Sequence, residues 1–140
     1  MHPDEVLPGA REFLLDCRDN HLGVGLGSAS KNALTILNLL QITDLFDVIV
    51  DGNKVIKAKP DPEVFLAGAR ELGVLPQHCV VFEDATAGIE AAVAAGMFSV
   101  GIGNPSVLGK ADFVIPGLKD LSVTTLRSKL EHRSNRQVPA

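Results

Sequence analysis

A three-layer α/β domain with a mainly parallel sheet is the fold class that this sequence predicts, and three observations carry the prediction. Short unbroken apolar runs, such as Val48–Val50 and Cys79–Phe82, suit strands that are covered on both faces. These runs alternate with segments whose apolar residues recur at helical spacing, for example Phe65, Ala69 and Leu72. The chain has 140 residues, within the usual range of one domain and enough to build one core.

Taken in order, PGAREFLLDCR from Pro8 to Arg18 predicts a short amphipathic helix, with Pro8 in its first turn and Phe13, Leu14 and Cys17 as its apolar positions. The polar break DNH leads into LGVGLGS, a small-residue strand that ends at Ser28. Ser30 then reads as the N-cap of a helix whose Leu34, Leu37 and Leu40 share one face. Ser28, Ala29, Ser30, Lys31 and Asn32 therefore form a strand-to-helix corner. Backbone N–H groups at such a corner, with hydroxyls beside them, make a ready anion site.

Asp47 to Val50 predicts a further buried strand, followed by the turn DGNK. In IKAKPDPEVFLAGARELG, Asp61 is placed to cap a helix, Pro62 fits its first turn, and Gly73 is a natural C′ stop. Lys59 stands just before that helix. A cation is electrostatically out of place near the positive end of a helix unless it shares a negative ligand with it. Two readings of Lys59 stand: a phosphate-binding group, or a solvated lysine.

In CVVFEDATAG, from Cys79 to Gly88, the apolar run ends in two adjacent carboxylates, Glu83 and Asp84, before an alanine-rich helix opens. Ligands of open α/β sheets bind at the carboxyl ends of strands, so this pair is a candidate site for a hard cation such as Mg²⁺. The alternative is that one acid caps the helix and the other is solvated. Thr86 to Ala95 predicts the helix, stopped by Gly96; MFSVGIGN predicts a strand, and DFVI near residue 114 a shorter one. The last helix is expected from about Leu118 to Leu130, with Leu121, Leu126 and Leu130 apolar. The core thus covers 1–130, and the polar stretch 131–140 is expected to fray.

Composition excludes several function classes. The net charge is −4, the basic residues are scattered, and Trp and Tyr are absent, which leaves neither an electrostatic footprint nor a stacking platform for nucleic acid. Hydrophobic content is 46%, yet no apolar run reaches the length of a bilayer crossing. MHPDEVLPGAREF carries acids ahead of any apolar stretch, so it lacks a secretory layout and a cytoplasmic address is expected. Cys17 and Cys79 read as two reduced core thiols. His2, His21, His78 and His132 lack a site context, which argues against Ser–His or Cys–His nucleophilic chemistry.

Three sites remain, each where a strand or loop hands over to a helix: the Ser28 corner, Lys59, and Glu83 with Asp84. A parallel sheet puts such handovers on one edge, so the three are expected to converge. A hydroxyl and a lysine that hold phosphate oxygens, with acids that hold Mg²⁺, suit phosphoryl transfer.

The segments GSASKN, VDGNKVIKAKPDPEVF and VVFEDATAGIEAAVAAGM resemble, in order and spacing, the second, third and fourth motifs of the haloacid dehalogenase superfamily, and most closely its β-phosphoglucomutase branch. The resemblance runs from about Leu7 to Leu130 and implies a Rossmann-like core. It implies that Ser28 and Lys59 bind the transferring phosphoryl group with help from the Ala29 amide. It further implies that Glu83 and Asp84 hold Mg²⁺, and that Ser30, Lys31 and Asn32 grip the second phosphate of a sugar bisphosphate. Helix capping by Ser30 and Asn32 is compatible with that role.

One departure stands out. The family's nucleophilic Asp lies two residues before an acid/base Asp on its first strand, and no two aspartates here are separated by a single residue. A covalent aspartyl phosphate needs that carboxylate. Against the family pattern, Met1 falls where the chain returns from the small cap domain, so the nucleophile strand and the cap are expected to be missing. The missing strand would lie between the strand ending at Ser28 and the one ending at Glu83. Three outcomes are expected for the exposed inner edges: direct pairing, insertion of a segment from another copy or another chain, or a chain that is part of a larger protein. The resemblance thus implies Mg²⁺-dependent phosphoryl transfer on a sugar phosphate. A β-phosphoglucomutase comes first, a sugar-phosphate phosphatase next, and a non-catalytic phosphate- and Mg²⁺-binding fragment is the alternative from a different class.

Overall fold

The apolar runs fold as short parallel strands, and the computed structural model describes residues 9–27, 46–50, 55–119 and 121–137. Strands β1 (Gly25–Gly27) and β2 (Val48–Val50) form one parallel ladder, with Gly25 opposite Val48 and Gly27 opposite Val50. Strands β3 (Val80–Glu83), β4 (Phe98–Ile102) and β5 (Phe113–Ile115) form a second ladder in that order, with Val80 opposite Phe98 and Val100 opposite Phe113. The described helices are α1 (Ala10–Asp19), α2 (Glu63–Leu72), α3 (Thr86–Ala94) and α4 (Val123–Gln137).

Side-chain alternation along β3 assigns the layers. Val80 and Phe82 pack with Phe13 and Cys17 of α1 and with Val123 and Leu126 of α4, whereas Val81 packs with Ala69 of α2 and Ala92 of α3. Helices therefore cover both faces, as expected for a parallel sheet whose connections cross over it. The sheet is divided where the sequence places the missing strand. Among the described residues β1 pairs with β2 and β3 pairs with β4, and the direct pairing of β1 with β3 does not form. Shared helices hold the two ladders side by side. Val24, just before β1, and Phe82 of β3 both pack into the α1 cluster, and the Phe13 and Phe82 rings meet edge to face at 5.3 Å.

Element ends follow local chemistry. Gly73 and Gly96 close α2 and α3 with φ of 71° and 77°, the left-handed conformation that only glycine adopts without strain. Helix α1 starts at Ala10 rather than at Pro8, because Gly9 has φ of 85° and lies so close to Lys119 that a side chain there would come within 2.6 Å of its Cα. Helix α4 starts at Val123 rather than near Leu118. Ser122 caps it by accepting from the Thr125 N–H at 3.1 Å, and Asp16 of α1 accepts from the Val123 N–H at 2.7 Å. The helix continues through Gln137, so the polar stretch from 131 begins as helix. Leu118 and Leu121 still reach the core from the loop ahead of it.

Polar groups that enter the core are paired. Ser99 of β4 is fully buried; its Oγ accepts from the Asp112 N–H at 3.1 Å, and its own N–H donates to Asp112 Oδ2 at 2.8 Å. At the start of the first ladder, the Val24 N–H donates to Asp47 Oδ2 at 2.7 Å, and the Asp47 N–H donates to the Val24 carbonyl at 2.7 Å. Both thiols are free, Cys17 buried and Cys79 half-buried. No described helix is long and apolar enough to cross a membrane.

Asp16→Ala should lower stability by about 1–2 kcal/mol in urea denaturation, because it leaves the first amide of α4 without its carboxylate; no change would show that water replaces the cap. Burial pushes the Cys17 thiol up to about 11, helped by the charge of neighbouring Asp16. A raised pKa favours the folded state below the unfolded value of about 9, and this advantage is lost as pH rises through the folded value. Denaturation midpoints should therefore fall between about pH 9 and pH 11, and a Cys17→Ala protein should lack that share of the fall.

Candidate functional site

The site begins with a loop that sequence alone leaves unconstrained. Residues 55–58 precede α2, and the Glu63 carboxylate in its first turn clamps them, accepting from the Ile56 N–H at 2.7 Å and the Lys57 N–H at 3.1 Å. The Asp61 N–H donates to the Ala58 carbonyl at 3.0 Å, and Asp61 Oδ1 accepts from the Glu63 N–H at 3.0 Å. Pro62 occupies the N-cap position, so Asp61 caps from one residue further out than the sequence pattern suggests. The backbone on either side of Lys59 is thereby fixed.

Lys59 then reaches across to the second ladder. Its Nζ lies 2.7 Å from Glu83 Oε2, at the last residue of β3, and 5.0 Å from the centre of the Phe65 ring. The side chains of Lys59 and Glu83 are 20% and 12% exposed, so the pair is largely withdrawn from water. The arrangement answers the electrostatic puzzle of a lysine ahead of a helix: the negative partner is an acid of the same chain, and the Phe65 face adds a cation–π contact. Asp84, the next residue, is exposed.

Of the residues singled out from the sequence, Lys59 and Glu83 thus meet at the carboxyl end of β3, with Asp84 exposed beside them. Ser28, Ala29, Ser30, Lys31 and Asn32 lie outside the described residues. Among the described residues no group of three or more His, Cys, Asp or Glu side chains is gathered as a metal-ligand cluster. Sequence reasoning missed Glu63 and Phe65. Phe65 was counted only as an apolar position of the helix, and Glu63 at the first helical position reads as an ordinary favourable charge there.

A family model described as haloacid dehalogenase-like hydrolase matches residues 1–96. The chain is 40% identical to a β-phosphoglucomutase of Bacillus subtilis over 140 residues, which covers 99% of this chain and 62% of that protein. It is 36% identical to hexitol phosphatase B of Escherichia coli, covering 89% of this chain and 57% of the relative. The crystal structure of a β-phosphoglucomutase from Clostridium difficile superposes with a TM-score of 0.93 at 43% identity, covering 97% of this chain and 61% of that one. The chain spans about three-fifths of the length of these relatives.

Lys59→Met should destabilise the fold by about 1–3 kcal/mol in urea denaturation, since it strands a largely buried carboxylate. Adding Glu83→Gln should recover part of the loss, because no uncompensated charge then remains. Equal losses in the single and double variants would mean that the stranded carboxylate is not what destabilises Lys59→Met.

Proposed function

The chain belongs to the haloacid dehalogenase-like hydrolase family, on its β-phosphoglucomutase-like branch, and from this premise we propose that it supplies phosphate- and Mg²⁺-binding groups for phosphoryl transfer on sugar phosphates. The reading closest to its relatives is a β-phosphoglucomutase-like exchange between β-glucose 1-phosphate and glucose 6-phosphate through an aspartyl phosphate. The observation that supports it is the contact of Lys59 with Glu83 at the end of β3, where Asp84 is the next residue. The site works in the cytoplasm.

The residues divide the work by their chemistry. The Lys59 ammonium binds phosphoryl oxygens as a point charge, held in place by Glu83 and Phe65. Ser28 and the Ala29 amide bind the same group, and Ser30, Lys31 and Asn32 bind a second phosphate. Glu83 and Asp84 offer hard oxygen donors, and Mg²⁺ is typically held by one or two protein carboxylates with water and substrate phosphate filling the rest, so the donor set fits. When bound, Mg²⁺ neutralises charge that builds up on the transferring phosphoryl group. The nucleophilic carboxylate comes from a strand outside these 140 residues, on another chain or on a segment of a larger protein, which takes the inner edges of β1 and β3.

A sugar-phosphate phosphatase is the second reading, favoured by the similarity to hexitol phosphatase B. Both readings require the same binding groups. Calorimetric titration should detect Mg²⁺-dependent binding of β-glucose 1-phosphate. Asp84→Asn should weaken Mg²⁺ binding at least tenfold, within the range expected for loss of a group that holds a metal. Binding that ignores both Mg²⁺ and Asp84→Asn would remove the proposal.

A further inference from the structure

We infer that Gly88 is a positioning residue for this site, one whose missing side chain makes the Lys59–Glu83 pair possible. The inference rests on the reading above only in its consequence for ligand binding. Gly88 is the third residue of α3 and is buried. A methyl group built on its Cα would overlap the Glu83 side chain at Cγ, Cδ and Oε2 together. Oε2 is the oxygen that Lys59 meets at 2.7 Å. Glu83 thus folds back over the first turn of α3 into space that only glycine leaves open.

Two further facts make this more than a tight contact. The first turn of a helix is the end where a carboxylate is electrostatically favoured, so Glu83 is stabilised where it lies as well as by the lysine. The overlap falls on the outer part of the Glu83 side chain, whose tip the ion pair already tethers, so moving it aside works against that contact. Any residue larger than glycine must push the carboxylate away from α3, and its contact with Lys59 is then broken. A glycine near the start of a helix otherwise carries a propensity penalty, which is the cost of this arrangement.

The test is a cycle of Gly88→Ala with Glu83→Ala on the full 140-residue chain, read by thermal unfolding and by the NMR contact between the Lys59 ε and Glu83 γ protons. Alanine is intrinsically the better helix former, so a purely local role predicts that Gly88→Ala raises Tm in either background. The inference predicts opposite signs: a fall of about 5 °C when Glu83 is present, and no fall or a rise when Glu83 is trimmed to alanine. The Lys59–Glu83 contact should disappear in Gly88→Ala. If Gly88→Ala alone does not fold, a folded double variant supports the inference and an unfolded one overturns it. The same sign in both backgrounds, or a retained contact, also overturns it. Affinity for β-glucose 1-phosphate with Mg²⁺ should fall at least tenfold in Gly88→Ala. If the unaltered chain shows no such affinity, the functional reading fails while the cycle still decides the role of Gly88.

Discussion

One ion pair, Lys59 with Glu83, joins what two separate ladders build. Lys59 stands ahead of α2 and Glu83 ends β3, so their 2.7 Å contact ties the segment that follows the first ladder to the end of a strand in the second. Its environment decides its weight. The Lys110–Glu90 pair is also formed, at 3.2 Å, but its side chains are 71% and 37% exposed, and water and salt screen such a pair to little net value. Lys59 and Glu83 are far less exposed, so a Glu83 charge that lost Lys59 would be held where water cannot easily replace it.

The supports of that pair come from several elements. Glu63 and Asp61 set the path of the loop, Phe65 presents its face to the ammonium, and Gly88 clears room for the carboxylate. Parallel strands explain why these parts meet at all. Each strand end turns into a loop or helix on the same edge, so residues distant in sequence arrive together. The helices keep that edge in register although β1 and β3 share no hydrogen bonds, with α1 reaching across from Val24 to Phe82.

Much of the fold was legible in the chain because it follows from short-range rules. Apolar runs placed β2, β3, β4 and β5 to within a residue or two, and Gly73 and Gly96 marked helix ends because a left-handed residue without glycine is strained. The start of α4 was not legible. Its leucine pattern extends back to Leu118, and what moves the start to Val123 is the Ser122 hydroxyl together with a carboxylate from Asp16, a residue on another helix. Within the site, Lys59, Glu83 and Asp84 stood out as charged residues at strand and helix junctions. Phe65 and Gly88 did not, because an apolar helix position and a small residue in an alanine-rich helix carry no charge pattern to read.

The sequence by itself determined that Lys59, Glu83 and Asp84 stand at junctions of strands and helices, since hydrophobic period, caps and motif spacing act along the chain. Only the tertiary structure decided that Glu83 serves as a partner of Lys59, that β1 and β3 do not pair directly across the place of the missing strand, and that a glycine in α3 makes room for an acid of β3. These are contacts between segments far apart in sequence, and their strength depends on burial and close approach, which no local pattern encodes.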